Sequence, residues 1–218
     1  MPNITSVEPQ KKNSKRFNIF LDGKFALGAD EDLVVNYRLL PGKEIKSEDL
    51  EKLLYEAEIG KLMERMYRLF NIRARSEKEI RDYLRKLSFE RKIKDKEEIS
   101  GLTEETLIER LKKKGLVNDE AFAASWIEAR RRSKKKGTQA LKMELFQKGI
   151  SREIINTVLE ENQVDEEALA MQSLEKKLPK FLKYDKMTFK KKTYEFLLRR
   201  GFSYDLAKGL VEKLMKKD

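Results

Sequence analysis

The sequence predicts a mainly α-helical protein, with three tandem three-helix repeats in an elongated, curved array behind a small N-terminal β-hairpin element. Three observations predict this fold class. Apolar residues recur with a period of about 3.6 from residue 47 onward. A short helical pattern occurs three times, and the clear period-two alternation lies before residue 29. We place the boundaries at residues 1–46 for the β element, 47–117 for repeat 1, 118–163 for repeat 2 and 164–218 for repeat 3.

The β element is predicted from residues 15–28, which read KRFNIFLDGKFALG. Apolar residues alternate on both sides of Asp22-Gly23, a pair that favours the two-residue turn of a hairpin. A further extended segment is predicted at residues 33–35, Leu-Val-Val, before the turn signal Pro41-Gly42.

The first long helix is predicted from residue 47 to residue 70. Ser47 is a suitable N-cap, and the acidic residues that follow it suit the positive end of the helix dipole. Gly60 lies inside the apolar stripe and is expected to bend or divide this helix.

The repeats are recognised by a leucine that recurs as Leu84, Leu145 and Leu197. Four residues later stand Ser88, Gly149 and Gly201, and a further helix follows each. Ser151 and Ser203 are the predicted N-caps of two of these further helices. Longer helices are predicted before each pattern, at residues 47–70, 119–132 and 166–178, with Asn118 and Asp165 as caps of the last two. Stacked repeats share one continuous core, so the array is expected to bind along a surface or groove.

The composition excludes several classes of chemistry. The chain contains no Cys and no His, which removes thiolate zinc sites, disulfides and His-dependent nucleophilic catalysis. Gly23 and Gly28 have a phosphate-loop-like spacing, but Ala29 stands where a Lys would be needed. The acidic residues 30–32 lack the pattern of a calcium loop and are interpreted as a solvated turn. We therefore expect no enzymatic activity, no metal and no cofactor.

The N-terminal residues are polar, and no apolar run approaches the length of a membrane span. These features predict a soluble, cytoplasmic protein without a signal peptide and without a membrane partner. We expect it to be a monomer.

The charge is unevenly distributed. The formal net charge is +11, but residues 28–60 carry nine acids against four cations, and residues 130–148 carry eight cations against Glu144 alone. Six cations occur in residues 130–136, which could be a nuclear localisation patch, a solvated helix end, or a contact with phosphates or an acidic protein groove. Helix-dipole effects do not require so many cations, so we favour the third interpretation. Trp126 could stack on a base, but its helical spacing from Phe122 favours the core.

Three segments carry a combination of motifs: RARSEKEIRDYL (residues 73–84), GLVNDEAFAASWIEARRRSKKKGTQALKMELFQKGIS (residues 115–151) and FLLRRGFSYDLAKGLV (residues 196–211). Together they resemble the RecX family of bacterial regulators of the RecA recombinase. The hairpin also resembles the N-terminal extension of many Gram-positive members. The chain departs from the family pattern at Ala74 and in a longer, more charged insertion after Leu87.

The resemblance implies a non-enzymatic protein of three tandem three-helix repeats. It also implies binding in the groove of the RecA–DNA filament, suppression of ATP hydrolysis and strand exchange, and, in some members, direct DNA binding. The basic, groove-facing surface of the family maps onto a set of candidate contact residues: Arg130, Arg131, Arg132, Lys134, Lys135, Lys136, Lys142, Lys148, Arg73, Arg75 and Arg81. A DNA- or RNA-binding protein that does not read sequence and acts without RecA is the alternative.

Overall fold

The computed structural model describes residues 1–11 and 13–215 and is mainly helical in that range, which confirms the predicted fold class. Its elements are β1 Ile4–Gln10, β2 Asn13–Leu21, β3 Lys24–Asp30, α1 Glu31–Asn36, α2 Ser47–Phe70, α3 Glu77–Ile93, α4 Gly101–Lys113, α5 Asp119–Lys134, α6 Thr138–Gln147, α7 Arg152–Glu161, α8 Glu166–Leu174, α9 Leu178–Phe181, α10 Lys186–Arg200 and α11 Tyr204–Met215. The chain divides into two compact units. Unit 1 comprises residues 1–74 and 83–117, and unit 2 comprises residues 75–82 and 118–218. In the described ranges, no helix combines the length and apolar character that crossing a bilayer would need.

The N-terminal sheet of unit 1 has three antiparallel strands in the order β1-β2-β3. The predicted hairpin is confirmed as β2 and β3, and Asp22 and Gly23 form its turn with positive φ at both positions. Strand β1 was not predicted, because ITSVEPQ is largely polar and contains a Pro. It completes the sheet by placing Ile4 in the core with Ile19.

The extended segment predicted at residues 33–35 is wrong, since these residues lie in the short helix α1. Asp30 is the N-cap, and its Oδ1 accepts a hydrogen bond of 2.9 Å from the backbone N–H of Leu33. The acidic residues 31 and 32 occupy the first turn, where the helix dipole favours them. The acidic cluster is therefore a helix start, a structure that a cap and two carboxylates favour over a strand.

Helix α2 runs without a break from residue 47 to residue 70, so the expected division at Gly60 does not occur. A Cβ at Gly60 would lie 2.6 Å from Oδ2 of Asp30. The glycine therefore allows the start of α1 to approach α2 closely. The predicted cap is displaced by one residue: Lys46 occupies the N-cap position without a side-chain hydrogen bond, and Ser47 is the first helical residue.

Local capping signals were more reliable in unit 2. Asn118, Ser151 and Asp165 each accept a hydrogen bond from the backbone N–H three residues later, as predicted. The helix predicted at residues 166–178 is shorter, since α8 ends at Leu174 and the short helix α9 follows. Pro179 lies in the first turn of α9. It lacks the N–H that a continuous helix would need at that position.

Within unit 2, the start of α6 packs on the end of α10 through backbone contacts. Gly137 N–H donates to Arg200 O at 2.9 Å, and Gln139 N–H donates to Gly201 O at 3.0 Å. Gly201 has φ +85, and a Cβ there would lie 2.2 Å from the backbone nitrogen of Ala140. Only a glycine fits this joint without strain. The joint fixes the position of the segment between α5 and α6.

A second joint of the same kind involves the residues just before α3. The Ser76 hydroxyl donates to Lys148 O at 2.7 Å, so residues 75–78 pack on the turn after α6. Ser76 and Gly137 occupy corresponding positions in the predicted repeats, as do Gly149 and Gly201. The recurrence of the joint agrees with the tandem three-helix organisation.

Candidate functional site

The run of cations at residues 130–136 lies at the end of α5 and in the turn that leads into α6, entirely within unit 2. We call it the basic junction. Helix α5 ends at Lys134, and Lys135 adopts a left-handed conformation with φ 50. Helix α6 begins three residues later, at Thr138. Four of the six cations therefore lie in the last turns of α5, and two lie in the turn that follows. The structure divides them into two groups and Arg131, which binds a backbone carbonyl.

The first group of cations, Arg130 and Lys136, pairs with Glu144 on the inner side of α6. Its Oε2 accepts hydrogen bonds of 2.8 Å from Arg130 Nε and from the indole N–H of Trp126. Its Oε1 accepts a hydrogen bond from the Lys136 ammonium. We call Trp126, Arg130, Lys136 and Glu144 the Glu144 cluster. Two of the six junction cations thus have an intramolecular partner and bind α6 to α5.

The pKa of Glu144 shows whether burial or hydrogen bonding has the larger effect on its carboxyl group. Burial by itself would raise the pKa of the carboxyl group, because it disfavours the charged form. The hydrogen bonds from Lys136, Trp126 and Arg130 outweigh it and lower the pKa below the ordinary value of 4.5. Glu144 is therefore ionised at neutral pH, and the cluster has a structural role.

The Trp126 ring is half-buried and packs against the apolar core of repeat 2. It stacks on Phe122 with a centroid distance of 5.7 Å. The guanidinium carbon of Arg130 lies 4.2 Å from the Trp126 centroid, and Lys148 Nζ lies 5.1 Å from it. These intramolecular contacts support the interpretation of Trp126 as a core residue.

Arg131 is also committed to the fold. One terminal nitrogen donates to the backbone carbonyl of Asn162, in the linker between α7 and α8. Its Nε is buried and has no hydrogen-bond partner in the part of the chain that the structure describes. Burial lowers the pKa of Arg131, and the nearby Glu166 partly opposes this effect. The guanidinium stays charged, but it is directed towards the protein.

The second group consists of Arg132, Lys134 and Lys135, which we call the exposed cation set. Arg132 and Lys134 are exposed, and Lys135 is half-exposed. Among residues 1–11 and 13–215, none of the three side chains forms an ion pair. The backbone carbonyl of Lys134 accepts a hydrogen bond from Arg200, which holds the turn in place. This group has positive charge available for an external partner.

Three further candidates belong to unit 2. Lys148 pairs with Glu79 at 2.5 Å, and Arg81 pairs with Glu77 at 2.8 Å, so both have internal partners. Arg75 is half-buried, and its buried Nε has no hydrogen-bond partner in the described ranges.

The remaining two candidates are exposed. Lys142 Nζ donates to the side chain of Asn156 on α7 at 3.1 Å. Arg73 belongs to unit 1, and its guanidinium hydrogen-bonds the neighbouring carbonyl of Ala74. Lys142 is therefore the candidate outside the junction that combines exposure with a position in repeat 2.

The sequence predicted where the basic junction lies. It did not predict that Glu144 and the Asn162 carbonyl bind some of its cations. Glu144 was visible as the single acid among eight cations, which is a signal for an internal partner. Asn162 contributes a backbone carbonyl, for which no sequence signal exists. In the described ranges, no group of three or more Asp and Glu side chains could hold a metal ion.

Comparison with protein families matches three parts of the chain. Residues 2–46 match the regulatory protein RecX N-terminal domain, residues 118–159 match the second three-helix domain of RecX, and residues 165–211 match its third three-helix domain. Together these matches cover more than half of the chain.

Two relatives named regulatory protein RecX match almost the whole chain. The one from Bacillus subtilis is 33% identical over 215 residues, covering 98% of this chain and 78% of the relative. The one from Listeria innocua is 31% identical over 209 residues, covering 94% and 73%.

Two solved structures have the same fold. The crystal structure of a regulatory protein RecX superimposes with a TM-score of 0.74 at 24% identity, covering 97% of this chain and all of the other. RecX from Lactobacillus salivarius gives a TM-score of 0.61 at 24% identity, covering 72% and 96%. The family matches, the relatives above 30% identity and the shared fold agree, and the chain belongs to the RecX family of regulatory proteins.

Proposed function

We propose that this protein binds the RecA–DNA filament and inhibits its ATPase, its strand exchange and its growth. It thereby modulates homologous recombination and the response to DNA damage. Membership of the RecX family supports the proposal, because its relatives are named regulatory proteins. The observation that carries it is the exposed cation set, which forms no ion pair in the described ranges, whereas Arg130 and Lys136 pair with Glu144 and Arg131 binds a backbone carbonyl.

The exposed cation set has a physical reason to bind an anion. Three positive charges within four residues repel one another, and a negatively charged partner would relieve this repulsion. The Glu144 cluster holds both ends of the junction, and Arg200 holds its middle. Because the turn is ordered before binding, little backbone entropy is lost when a partner binds.

The proposed regulation is stoichiometric and needs no reaction at a catalytic residue. The chain has no His and no Cys. Its exposed cations provide a positively charged surface to which a partner can bind. An inhibitor that works by occupying the filament should reach its full effect at a fixed ratio to RecA subunits. A catalytic modifier would act at far lower ratios, so the titration separates the two.

The test measures DNA-dependent ATP hydrolysis by the cognate RecA while this protein is added. We expect hydrolysis to fall and to level off at a fixed ratio of the two proteins. The variant R132Q/K134Q/K135Q should need a several-fold higher concentration for the same inhibition. The control K94Q/K113Q/K114Q removes three exposed lysines from unit 1 and should inhibit like the unmodified protein. Unchanged hydrolysis at equimolar protein would refute the proposal.

DNA binding without RecA is a second candidate function, and the same exposed cations favour it. Each phosphate contact contributes about 0.9 to the slope of log affinity against log salt on duplex DNA. Removing the exposed cation set should therefore reduce the slope for bare DNA by about 3. If the protein binds bare DNA as tightly as the filament and leaves hydrolysis unchanged, this second function replaces the first.

A further inference from the structure

The outward face of α6 carries two large apolar side chains. Leu141 and Leu145 on the inner face are fully buried in the core of repeat 2. Met143 and Phe146 are 66% and 59% exposed. They are three residues apart in a helix and therefore lie next to each other. Single exposed apolar residues are common, but an adjacent pair on a chain with 40% charged residues is typical of a contact surface.

Cations flank this apolar pair. The guanidinium carbon of Arg152, at the start of α7, lies 5.9 Å from the Phe146 ring centroid. Lys142 precedes Met143 and reaches across to Asn156 of α7. The two acids nearest in sequence are already engaged: Glu144, next to Met143, accepts the hydrogen bonds of the Glu144 cluster, and Glu153, next to Arg152, hydrogen-bonds its own backbone and Ser151. We call Lys142, Met143, Phe146 and Arg152 the α6 patch.

The chemistry of the α6 patch differs from that of the exposed cation set. A phosphate backbone is contacted by cations and other hydrogen-bond donors, and it offers no pocket for Met and Phe side chains. A protein segment with an apolar pocket and acidic residues at its edge would use all four side chains. Aromatic residues at the centre of protein interfaces contribute a large share of the binding energy, and Met adapts its shape to the partner.

We propose that the α6 patch docks an acidic, apolar-grooved segment of a partner protein, which is the RecA subunit if the proposed function holds. On α6 the patch runs from Lys142 to Phe146, which is about 6 Å at 1.5 Å per residue, and Arg152 adds to it from α7. It follows the exposed cation set after a turn of a few residues. Repeat 2 thus presents two adjacent surfaces, one for phosphate and one for protein.

The test compares binding of the double variant M143S/F146S to three targets by fluorescence anisotropy: RecA filaments on single-stranded DNA, RecA without DNA, and bare DNA. We expect affinity for the filament to fall about 30-fold, as for a central contact worth about 2 kcal/mol. Affinity for RecA without DNA, where measurable, should fall in parallel. Affinity for bare DNA should stay within about twofold, since the removed side chains carry no charge.

The control is L102S/M187S, which removes two large apolar side chains that are 70% and 78% exposed on other helices. It should bind all three targets like the unmodified protein. Circular dichroism and thermal unfolding verify that both variants are folded, and F146L should retain most of the filament affinity. The variant K142E/R152E should also lose filament affinity, because it reverses the two flanking charges.

The outcomes separate the two proposals. Filament affinity that is unchanged in M143S/F146S overturns the docking proposal while the proposed function stands. A parallel loss on bare DNA overturns it in favour of base stacking on Phe146. If the unmodified protein does not bind the filament, the proposed function fails, and the α6 patch has no RecA partner.

Discussion

Replacing Glu144 with Gln tests whether the Glu144 cluster holds the basic junction in place. The carboxylate accepts hydrogen bonds from Trp126, Arg130 and Lys136. A glutamine keeps the size of the side chain but removes the charge and one acceptor oxygen. If its oxygen takes the position of Oε2, its NH₂ group faces the Lys136 ammonium, and two donors oppose each other.

The expected loss of stability follows from these contacts. Hydrogen bonds to charged groups contribute about 1.5–3 kcal/mol and neutral ones about 0.5–1.5 kcal/mol, so the Trp126 bond, which becomes neutral, weakens by about 1 kcal/mol. The Arg130 bond keeps its cationic donor and loses the ion-pair attraction, which is worth up to about 1 kcal/mol. The Lys136 contact adds about 0.5 kcal/mol, as for a partly exposed ion pair. Because the side chains are 21–28% exposed, we discount the sum to about 2 kcal/mol. For a chain of this length, that lowers Tm by about 4–8 °C.

The assay is thermal and urea-induced unfolding of E144Q beside E128Q. Glu128 is an exposed residue of α5, so E128Q has the same change in net charge without the cluster. It should change stability by less than about 0.5 kcal/mol. If the two variants have the same stability, the Glu144 carboxylate is solvated and the structural role assigned to it is wrong.

E144Q is expected to lower the stability of the protein but to strengthen the salt-dependent part of its binding to DNA. It releases Arg130 and Lys136 from their acidic partner, so up to two more cations can contact phosphates. The slope of log affinity against log salt on bare DNA should steepen by up to about 2. A less stable protein that binds DNA with a steeper salt dependence would distinguish this cluster from a general loss of folding.

Three further predictions concern stability. G201A should destabilise the protein by about 3 kcal/mol or more in urea titrations, because it strains a backbone with φ +85 and forces a Cβ against Ala140; a loss below about 1 kcal/mol would mean that the joint can yield. N118A should cost about 1 kcal/mol through the lost N-cap of α5, and N118D should restore most of it; equal stabilities of the two variants would contradict the capping role. Because the folded-state pKa of Glu144 is lowered, its contribution is present above pH 4.5, the ordinary pKa, and is lost as the pH falls through the folded pKa. The stability difference between the unmodified protein and E144Q should therefore shrink as the pH falls below 4.5, and a constant difference in urea titrations would contradict the assignment.

Capping and turn geometry were largely predictable, because they depend on residues close in sequence. Asn118 and Asp165 accept hydrogen bonds from N–H groups three residues away, and Asp22-Gly23 forms a two-residue turn. The predictions were wrong where local signals for two different structures occur in the same segment. In residues 30–35, the β-branched Val residues favour a strand, but Asp30 and its acidic neighbours favour a helix start, and the contact of Asp30 with Gly60 supports the helix.

By itself, the sequence determined the helical class, the hairpin, most helix starts, the recurring leucine pattern and the position of the densest positive charge. Only the tertiary structure decided which cations remain available. Arg130 and Lys136 contact an acid 14 and 8 residues away, and Arg131 contacts a backbone carbonyl 31 residues away. Arg132, Lys134 and Lys135 are also Arg and Lys residues of the same run, yet they are exposed or half-exposed and form no ion pair in the described ranges. Residue type sets the charge of a side chain, but the packing of α6, α7 and α10 around the junction decides whether that charge is neutralised.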